Sequence, residues 1–199
     1  MRVAPGYLTA STDASGAKYS SNDIVSVTAR LNDKVEDGHF FVARQATYGS
    51  TESVEYTLEL PTSANTTSIP QLGGKLTING RDSKVHVTDF DVGGTNLLYS
   101  TAEVFTWKKL RGGKKVLILY GGAGELHELA VKGSAADAKI IEGSDVKIED
   151  KNGFAVMQYT ASSDRRAVEI GDLQILLLGK YLPSALLSMV SLNPTNSCN

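Results

Sequence analysis

Residues 79–90, NGRDSKVHVTDF, set Arg81, Asp82, Ser83, Lys84, His86 and Asp89 within one short stretch. These are residue types that can move a proton, activate a hydroxyl or hold an anion. A Ser-His-Asp relay would draw on Ser83, His86 and either Asp82 or Asp89, and it requires three side chains converging on one point. The local pattern opposes that. Val85 and Val87 flank His86 with a period of two, so valines facing a core send Lys84, His86 and Thr88 to the opposite face. Arg81 and Asp82 fall in the turn before the strand, where Asp commonly caps backbone N–H groups. The expectation is a polar turn leading into an alternating strand.

The other candidates are weighed in the same way. His39 opens a strand. In GELHELA (124–130), Glu125, His127 and Leu129 share one face, with Leu126 and Glu128 on the other. Glu125 and His127 at i, i+2 supply two ligands, and two ligands do not make a metal site. The glycine pairs 73–74, 93–94, 112–113 and 121–122 are not followed by helical patterns, so no phosphate cradle is implied. GGAGELH (121–127) lacks the Gly-Lys-Ser/Thr ending of a phosphate loop. Glycoside hydrolysis needs two carboxylates about 5–9 Å apart, and none of the 22 Asp and Glu residues stands out as buried in an apolar pocket. Asn65-Thr66-Thr67 is a sequon for N-glycosylation on an expected surface loop.

The elements that must position these groups are strands. DIVSVTA (23–29), HFFVARQ (39–45), SVEYTLEL (53–60), KLTING (75–80), KVHVTDF (84–90), NLLYSTAEVFTW (96–107), KKVLILYGG (114–122), ELHELAV (125–131), AKIIEG (138–143), DVKIED (145–150), FAVMQYT (154–160), RAVEI (166–170) and LQILLL (173–178) are short, β-rich and separated by Gly, Asp and Asn turns. SVEYTLEL alternates, with Val54, Tyr56, Leu58 and Leu60 on one face, and ends at Pro61. Gly171-Asp172 is a tight-hairpin signal. The pattern predicts an all-β, antiparallel sandwich. No helical pattern separates the strands, which argues against a parallel α/β sheet. After Leu178, a short helix is expected with Leu182, Leu186, Met189 and Val190 on one face and Pro183 in its first turn.

Bulk properties narrow the function. The chain has 199 residues, 41% hydrophobic and 21% charged, with a net charge of −2. It is long enough to bury a core without staples. Near-neutral charge gives no case for nucleic acid or anionic membrane. Lys108, Lys109, Arg111, Lys114 and Lys115 cluster around Gly112-Gly113 and are expected at a solvated hairpin tip. The single cysteine, Cys198, makes no internal disulfide. No apolar run approaches a membrane span. The start, MRVAPGYLTA, lacks a basic region followed by an apolar one, which predicts no signal peptide on this chain.

Several stretches are idiosyncratic enough to identify a relationship. RVAPGYLTA (2–10), FFVARQATYGSTESVEYTLELPTSA (40–64), PQLGGKLTINGRDSKVHVTDF (70–90), LLYSTAEVFTWKKL (97–110), VLILYGGAGELHELAVK (116–132) and IGDLQILLL (170–178) resemble, in order, the second domain of fungal β-galactosidases of glycoside hydrolase family 35. The resemblance implies an all-β accessory domain, residues 1–178, packed beside a catalytic barrel in a large secreted enzyme. That enzyme cleaves terminal β-D-galactosyl residues with retention, without a metal or other cofactor. Its two catalytic glutamates belong to the barrel, so none is carried onto this chain; Glu103, Glu125 and Glu128 lie in matching motifs but inherit no catalytic role. The expected partners are the barrel and the downstream domains. From Gly179 the sequence departs abruptly from the family's DRNSAYNYW-like continuation, which leaves 179–199 as a divergent tail, and both ends read as cuts through a longer enzyme. The alternative is a carbohydrate-binding module, with galactosides as its ligand. It would stack sugar rings on Tyr7 and Tyr48, which sit in loop-like contexts, whereas Tyr99, Trp107 and Tyr120 are expected to pack in the core or at its edge.

Overall fold

A computed structural model describes residues 4–34, 37–47 and 49–180. A six-residue helix, α1 (Ala4–Thr9), leads into β1 (Ser11–Thr12), β2 (Val25–Leu31) and β3 (Asp37–Gln45). Four short strands follow: β4 (Ser53–Tyr56), β5 (Leu58–Thr62), β6 (Asn65–Ile69) and β7 (Leu76–Asn79). Next come β8 (Ser83–Asp91), β9 (Asn96–Ser100), β10 (Glu103–Lys109), β11 (Lys115–Gly121) and β12 (Leu126–Lys132). A single 3-10 turn at Ala135–Asp137 precedes β13 (Ala138–Glu142), β14 (Lys147–Lys151), β15 (Phe154–Thr160), β16 (Arg166–Ile170) and β17 (Leu173–Gly179).

These strands form an eight-stranded sheet in the order β1-β2-β3-β8-β9-β12-β15-β14 and a five-stranded sheet in the order β10-β11-β17-β16-β13. Two small hairpin-like sheets, β4-β7 and β5-β6, complete the fold. All pairings are antiparallel except β11 with β17, which is parallel in the register Ile118↔Leu176. The all-β sandwich expected from the sequence is therefore present, with that one parallel pair as a departure. Gly171 takes φ 57°, the left-handed region that its tight turn between β16 and β17 requires.

The large sheet carries a core on each face. Between it and the five-stranded sheet lie Phe40, Val87, Leu97, Leu129, Met157, Leu119, Leu177 and Ile175. On its other face, Phe41, Ala43, Leu98, Tyr99, Ala130 and Val156 pack against Tyr56, Leu58, Leu60, Ile69, Leu76 and Ile78 from the two small sheets. Consecutive residues thus point into different cores, as Phe40 and Phe41 do. An isolated two-stranded hairpin is marginal in water. Each of these six side chains is at most 2% exposed, and each fully buried aliphatic or aromatic side chain contributes roughly 1.5–3 kcal/mol. The small sheets are held by this layer.

Three expectations change accordingly. SVEYTLEL is two strands, broken at Thr57, because its halves pair with different partners, β7 and β6. Pro61 does not end a strand; it lies in β5 opposite Thr66, in a two-stranded sheet with a free edge that needs no donor from it. NLLYSTAEVFTW is also two strands, because the chain crosses from the eight-stranded sheet to the five-stranded one at Thr101-Ala102. The expected helix at 182–190 lies outside the described residues.

The layering makes a direct prediction. Phe40→Ala and Phe41→Ala should each lower unfolding stability in urea by about 3–5 kcal/mol. A cost for Phe41→Ala far below that of Phe40→Ala would mean that the small sheets are a loose appendage.

Candidate functional site

The chemistry-bearing residues converge inside the protein, where the ends of β8, β11 and β12 meet. Lys84, Glu125 and His127 are each under 5% exposed. Lys84 Nζ lies 2.6 Å from Glu125 Oε1, and Asp82 Oδ2 is 3.4 Å from the same ammonium. The second carboxylate oxygen of Glu125 accepts the Gly122 N–H at 2.7 Å. His127 Nε2 stands 3.3 Å from that oxygen, at the edge of hydrogen-bond alignment, and its Nδ1 has no hydrogen-bond partner among the described residues. Burial opposes ionisation of Glu125, but His127, Lys84 and the Gly122 amide outweigh it and hold the carboxyl down at about 2. Glu125 is therefore a fixed anion rather than a proton donor near neutral pH. The glycine pair makes room for it: a Cβ at Gly121 would overlap His127 Nε2, and one at Gly122 would overlap the Glu125 carboxylate.

His86 lies on the same face of the large sheet as Phe41. Its Nδ1 is 2.9 Å from the Thr101 carbonyl, which can only accept, so Nδ1 carries the proton. Nε2 then accepts from the Tyr56 hydroxyl at 2.9 Å. With burial as the main cause, the imidazole pKa falls to about 3. Both nitrogens are engaged, Asp89 accepts the Ser63 N–H at 2.7 Å, and Ser83 is exposed. Ser83, His86 and the aspartates are not brought together as a relay. The expectation that Lys84, His86 and Thr88 face away from the core with Val85 and Val87 turned inward holds for direction but not for environment. That second face is covered by the small sheets, leaving Lys84 4%, His86 2% and Thr88 0% exposed.

A second buried carboxylate, Glu128, escapes the sequence reading. It accepts the backbone N–H groups of Gln71 and Leu72, the Tyr99 hydroxyl at 2.8 Å and Gln158 Nε2 at 2.9 Å. It thereby ties the loop after β6 to the centre of the sheet. Burial first, and Glu128 second, push the Tyr99 hydroxyl pKa well up. Glu125, Glu128 and Asp89 are thus buried, although no carboxylate stands out as buried in the sequence. The available signal was Leu126 to Val131, a strand whose apolar residues occupy both parities.

The remaining candidates separate. Lys115 does not share the solvated tip: it is 4% exposed and pairs with Asp172 at 2.9 Å, whereas Lys108, Lys109, Arg111 and Lys114 are exposed. Tyr7 is half-buried, edge-on to Phe40 at 5.6 Å, with the Arg30 guanidinium 4.8 Å from its ring centre. Tyr48 lies outside the described residues. Asn65 is exposed at the β5–β6 turn. Tyr99 is fully buried, Trp107 is half-buried, and Tyr120 meets Phe105 edge-on at 6.3 Å. Among the described residues, no three His, Cys, Asp or Glu side chains form a group able to hold a metal ion, and no helix is long and apolar enough to cross a membrane.

The outer face of the five-stranded sheet has a different character. Leu173, Ile175 and Leu177 point inward, which turns Leu176 and Leu178 outward beside Tyr120. Among the described residues, three of the five exposed large apolar side chains, Phe105, Ile140 and Ile141, also belong to this sheet, at 46%, 41% and 55% exposure.

The buried titratable groups predict acid sensitivity with a defined sign. His86 takes a proton in the unfolded chain near pH 6.5 but in the folded protein only near 3, so stability falls as pH drops through that window. Glu125 is depressed from 4.5 to about 2, so its stabilisation is complete above 4.5 and is lost as pH falls towards 2. The urea midpoint should decline from pH 7 to 3, with His86 contributing up to about 1.4 kcal/mol per pH unit. His86→Gln should flatten the decline between pH 6.5 and 4. A midpoint independent of pH across that range would contradict the burial of a neutral imidazole. Gly122→Ala, which displaces the Glu125 carboxylate, should cost about 1–3 kcal/mol.

Comparison with known proteins places this geometry. The family model described as "Beta-galactosidase, domain 2" matches residues 8–182. The chain is 51% identical over 182 residues to a probable beta-galactosidase A of Aspergillus phoenicis and 51% identical to beta-galactosidase A of Aspergillus niger. It is 50% identical to beta-galactosidase A of a Penicillium species. Each alignment covers 90% of this chain, and the chain spans 18% of the length of each relative. A match of this extent and identity, on an all-β framework, assigns the chain to the β-galactosidase domain 2 family.

Proposed function

We propose that this chain is a non-catalytic accessory domain of a secreted β-galactosidase that hydrolyses terminal β-D-galactosyl residues with retention. In this reading the catalytic glutamates lie in a barrel domain outside the chain, and no cofactor is needed. The domain braces that barrel and links it to the domains that follow. Its docking face is the outer surface of the five-stranded sheet, and the occupant is the rest of the same β-galactosidase polypeptide.

The observation that carries this reading is the apolar outer face around Phe105, Tyr120, Leu176 and Leu178. The described residues bury two cores and leave this face only partly covered, with Phe105 46% exposed and Tyr120, Leu176 and Leu178 half-buried. Contiguous exposed apolar surface marks an interaction site. A chain spanning 18% of its relatives has ample polypeptide in the parent to cover it. The buried carboxylates support the non-catalytic part: Glu125 and Glu128 are saturated by internal partners at 3% and 0% exposure.

Two experiments test the proposal. The purified chain should not turn over a nitrophenyl β-galactoside, and turnover that survives rigorous purification and is lost in Glu125→Gln would overturn it. Titration with galactose should likewise release no saturable heat; binding would instead favour the carbohydrate-binding alternative. Separately, Phe105→Glu should change the stability of the isolated chain by no more than about 0.5 kcal/mol, as expected for an exposed site. In a full-length β-galactosidase containing this domain, the same change should cost about 2 kcal/mol or more, because the charge would be buried at the domain contact. Equal effects in the two settings would remove this face as the docking surface.

A further inference from the structure

The tip of the β10–β11 hairpin concentrates positive charge. Five of the chain's 20 Lys and Arg residues, Lys108, Lys109, Arg111, Lys114 and Lys115, fall within residues 108–115, and no Asp or Glu lies between Glu103 and Glu125. Lys115 is buried and neutralised by Asp172 at 2.9 Å. Lys114 meets Glu169 at 3.3 Å but stays 64% exposed, so solvent screens that pair. Lys108, Lys109 and Arg111 are exposed, and their side chains have no ion pair or hydrogen bond among the described residues.

The tip also projects into open space. A Cβ placed at Gly112 or Gly113, with φ 88° and 90°, would meet nothing within 4 Å. Lys109 lies opposite Lys115 in the strand register, and Lys108 lies opposite Val116. Successive strand side chains point to opposite faces, so the cations ring the end of the hairpin rather than line one flat side. Like charges directly opposite each other disfavour strand pairing, so the fold gains nothing from this cluster, whereas an anionic partner relieves its repulsion. A ring of cations suits a flexible chain with anionic groups spaced along it, which passes over the tip and meets charges on both sides; a flat membrane reaches one side only. Three of the four exposed cations are Lys, whose ammonium is a hydrated point charge rather than the bidentate fork that suits phosphate.

We propose that this tip binds a carboxylated polysaccharide, whose uronate groups pair in turn with Lys108, Lys109, Arg111 and Lys114. The inference rests on the reading of the chain as part of a secreted β-galactosidase and adds a feature of the substrate: the terminal galactosyl residues are borne on an acidic polymer that the tip holds near the enzyme. Such attraction reaches about a Debye length, roughly 8 Å at physiological salt, and needs no fitted sugar pocket.

Trp107, the single tryptophan of the chain, precedes Lys108 and reports binding through its fluorescence. Titration of this chain with polygalacturonate at low salt should give a saturable change in that signal. The change should be absent with the fully methyl-esterified polymer and with neutral galactan, and should vanish in about 0.5 M salt. Replacing Lys108, Lys109 and Arg111 together by Gln should weaken binding about tenfold without lowering the urea midpoint, which separates lost charge from a lost fold. Silence toward polygalacturonate, equal binding of its methyl ester, or equal affinity for polyphosphate or phosphatidylserine vesicles would overturn the proposal. In a full-length β-galactosidase containing this domain, the triple variant should lose activity on a galactosylated polyuronate and keep it on a nitrophenyl β-galactoside; equal retention on both would overturn the substrate assignment. Because polygalacturonate binding is measured on this chain without its neighbours, failure of the docking face strikes the bracing role alone.

Discussion

Because the eight-stranded sheet is covered on both faces, the charged side chains buried along it need partners inside the protein. That requirement organises the rest of the molecule. Lys84 and Glu125 neutralise each other at one end of the sheet. Glu128 gathers Tyr99, Gln158 and two backbone amides near its middle. A buried charge without such partners would cost several kcal/mol. These constellations have the residue types of an active site and the accessibility of a core. They fix which loops lie over which strands, with Glu125 3% and Glu128 0% exposed.

The same network governs how the chain passes between layers. After β9 the backbone leaves the eight-stranded sheet at Thr101 and Ala102 and enters the five-stranded one. His86 donates to the Thr101 carbonyl, and the Thr101 hydroxyl and amide exchange hydrogen bonds with the Glu128 backbone. The crossover is thus held by a neutral histidine and by a neighbouring strand. This explains why an imidazole is retained in a site where its charged form is strongly disfavoured. Tyr56, from the small sheets, completes the histidine's second hydrogen bond, so one side chain links three layers.

Local turn chemistry made much of the fold legible. Gly171-Asp172 and Gly112-Gly113 mark hairpin turns whose flanking strands fall where the alternation put them. What stayed hidden is nonlocal. SVEYTLEL alternates without interruption, yet its halves belong to different sheets, because only pairing partners distant in sequence separate Tyr56 from Leu58. Lys84, His86 and Thr88 read as a wet face because polarity on one parity ordinarily signals solvent. The contrary signal lay elsewhere, in Phe40-Phe41, Leu97-Leu98 and Ala155-Val156-Met157, where apolar residues on both parities announce a sheet buried twice. Kinship with the β-galactosidase domain was readable from whole motifs, whereas the buried partners of Glu125 and Glu128 were not, since they come from segments up to 57 residues away.

Two cores and their polar links account for most of the apolar side chains, and the outer face of the five-stranded sheet is the remainder. In the proposed reading, this remainder is an interface with the rest of a β-galactosidase polypeptide. The most direct measurement is the rate of thiol labelling at Phe105→Cys, with Cys198→Ser in the isolated chain, compared with the same position in a full-length β-galactosidase containing this domain. An interface there gives rapid labelling in the isolated chain and strong protection in the full-length enzyme, while Arg111→Cys, at an exposed position, labels equally in both. Equally rapid labelling of position 105 in both would contradict it.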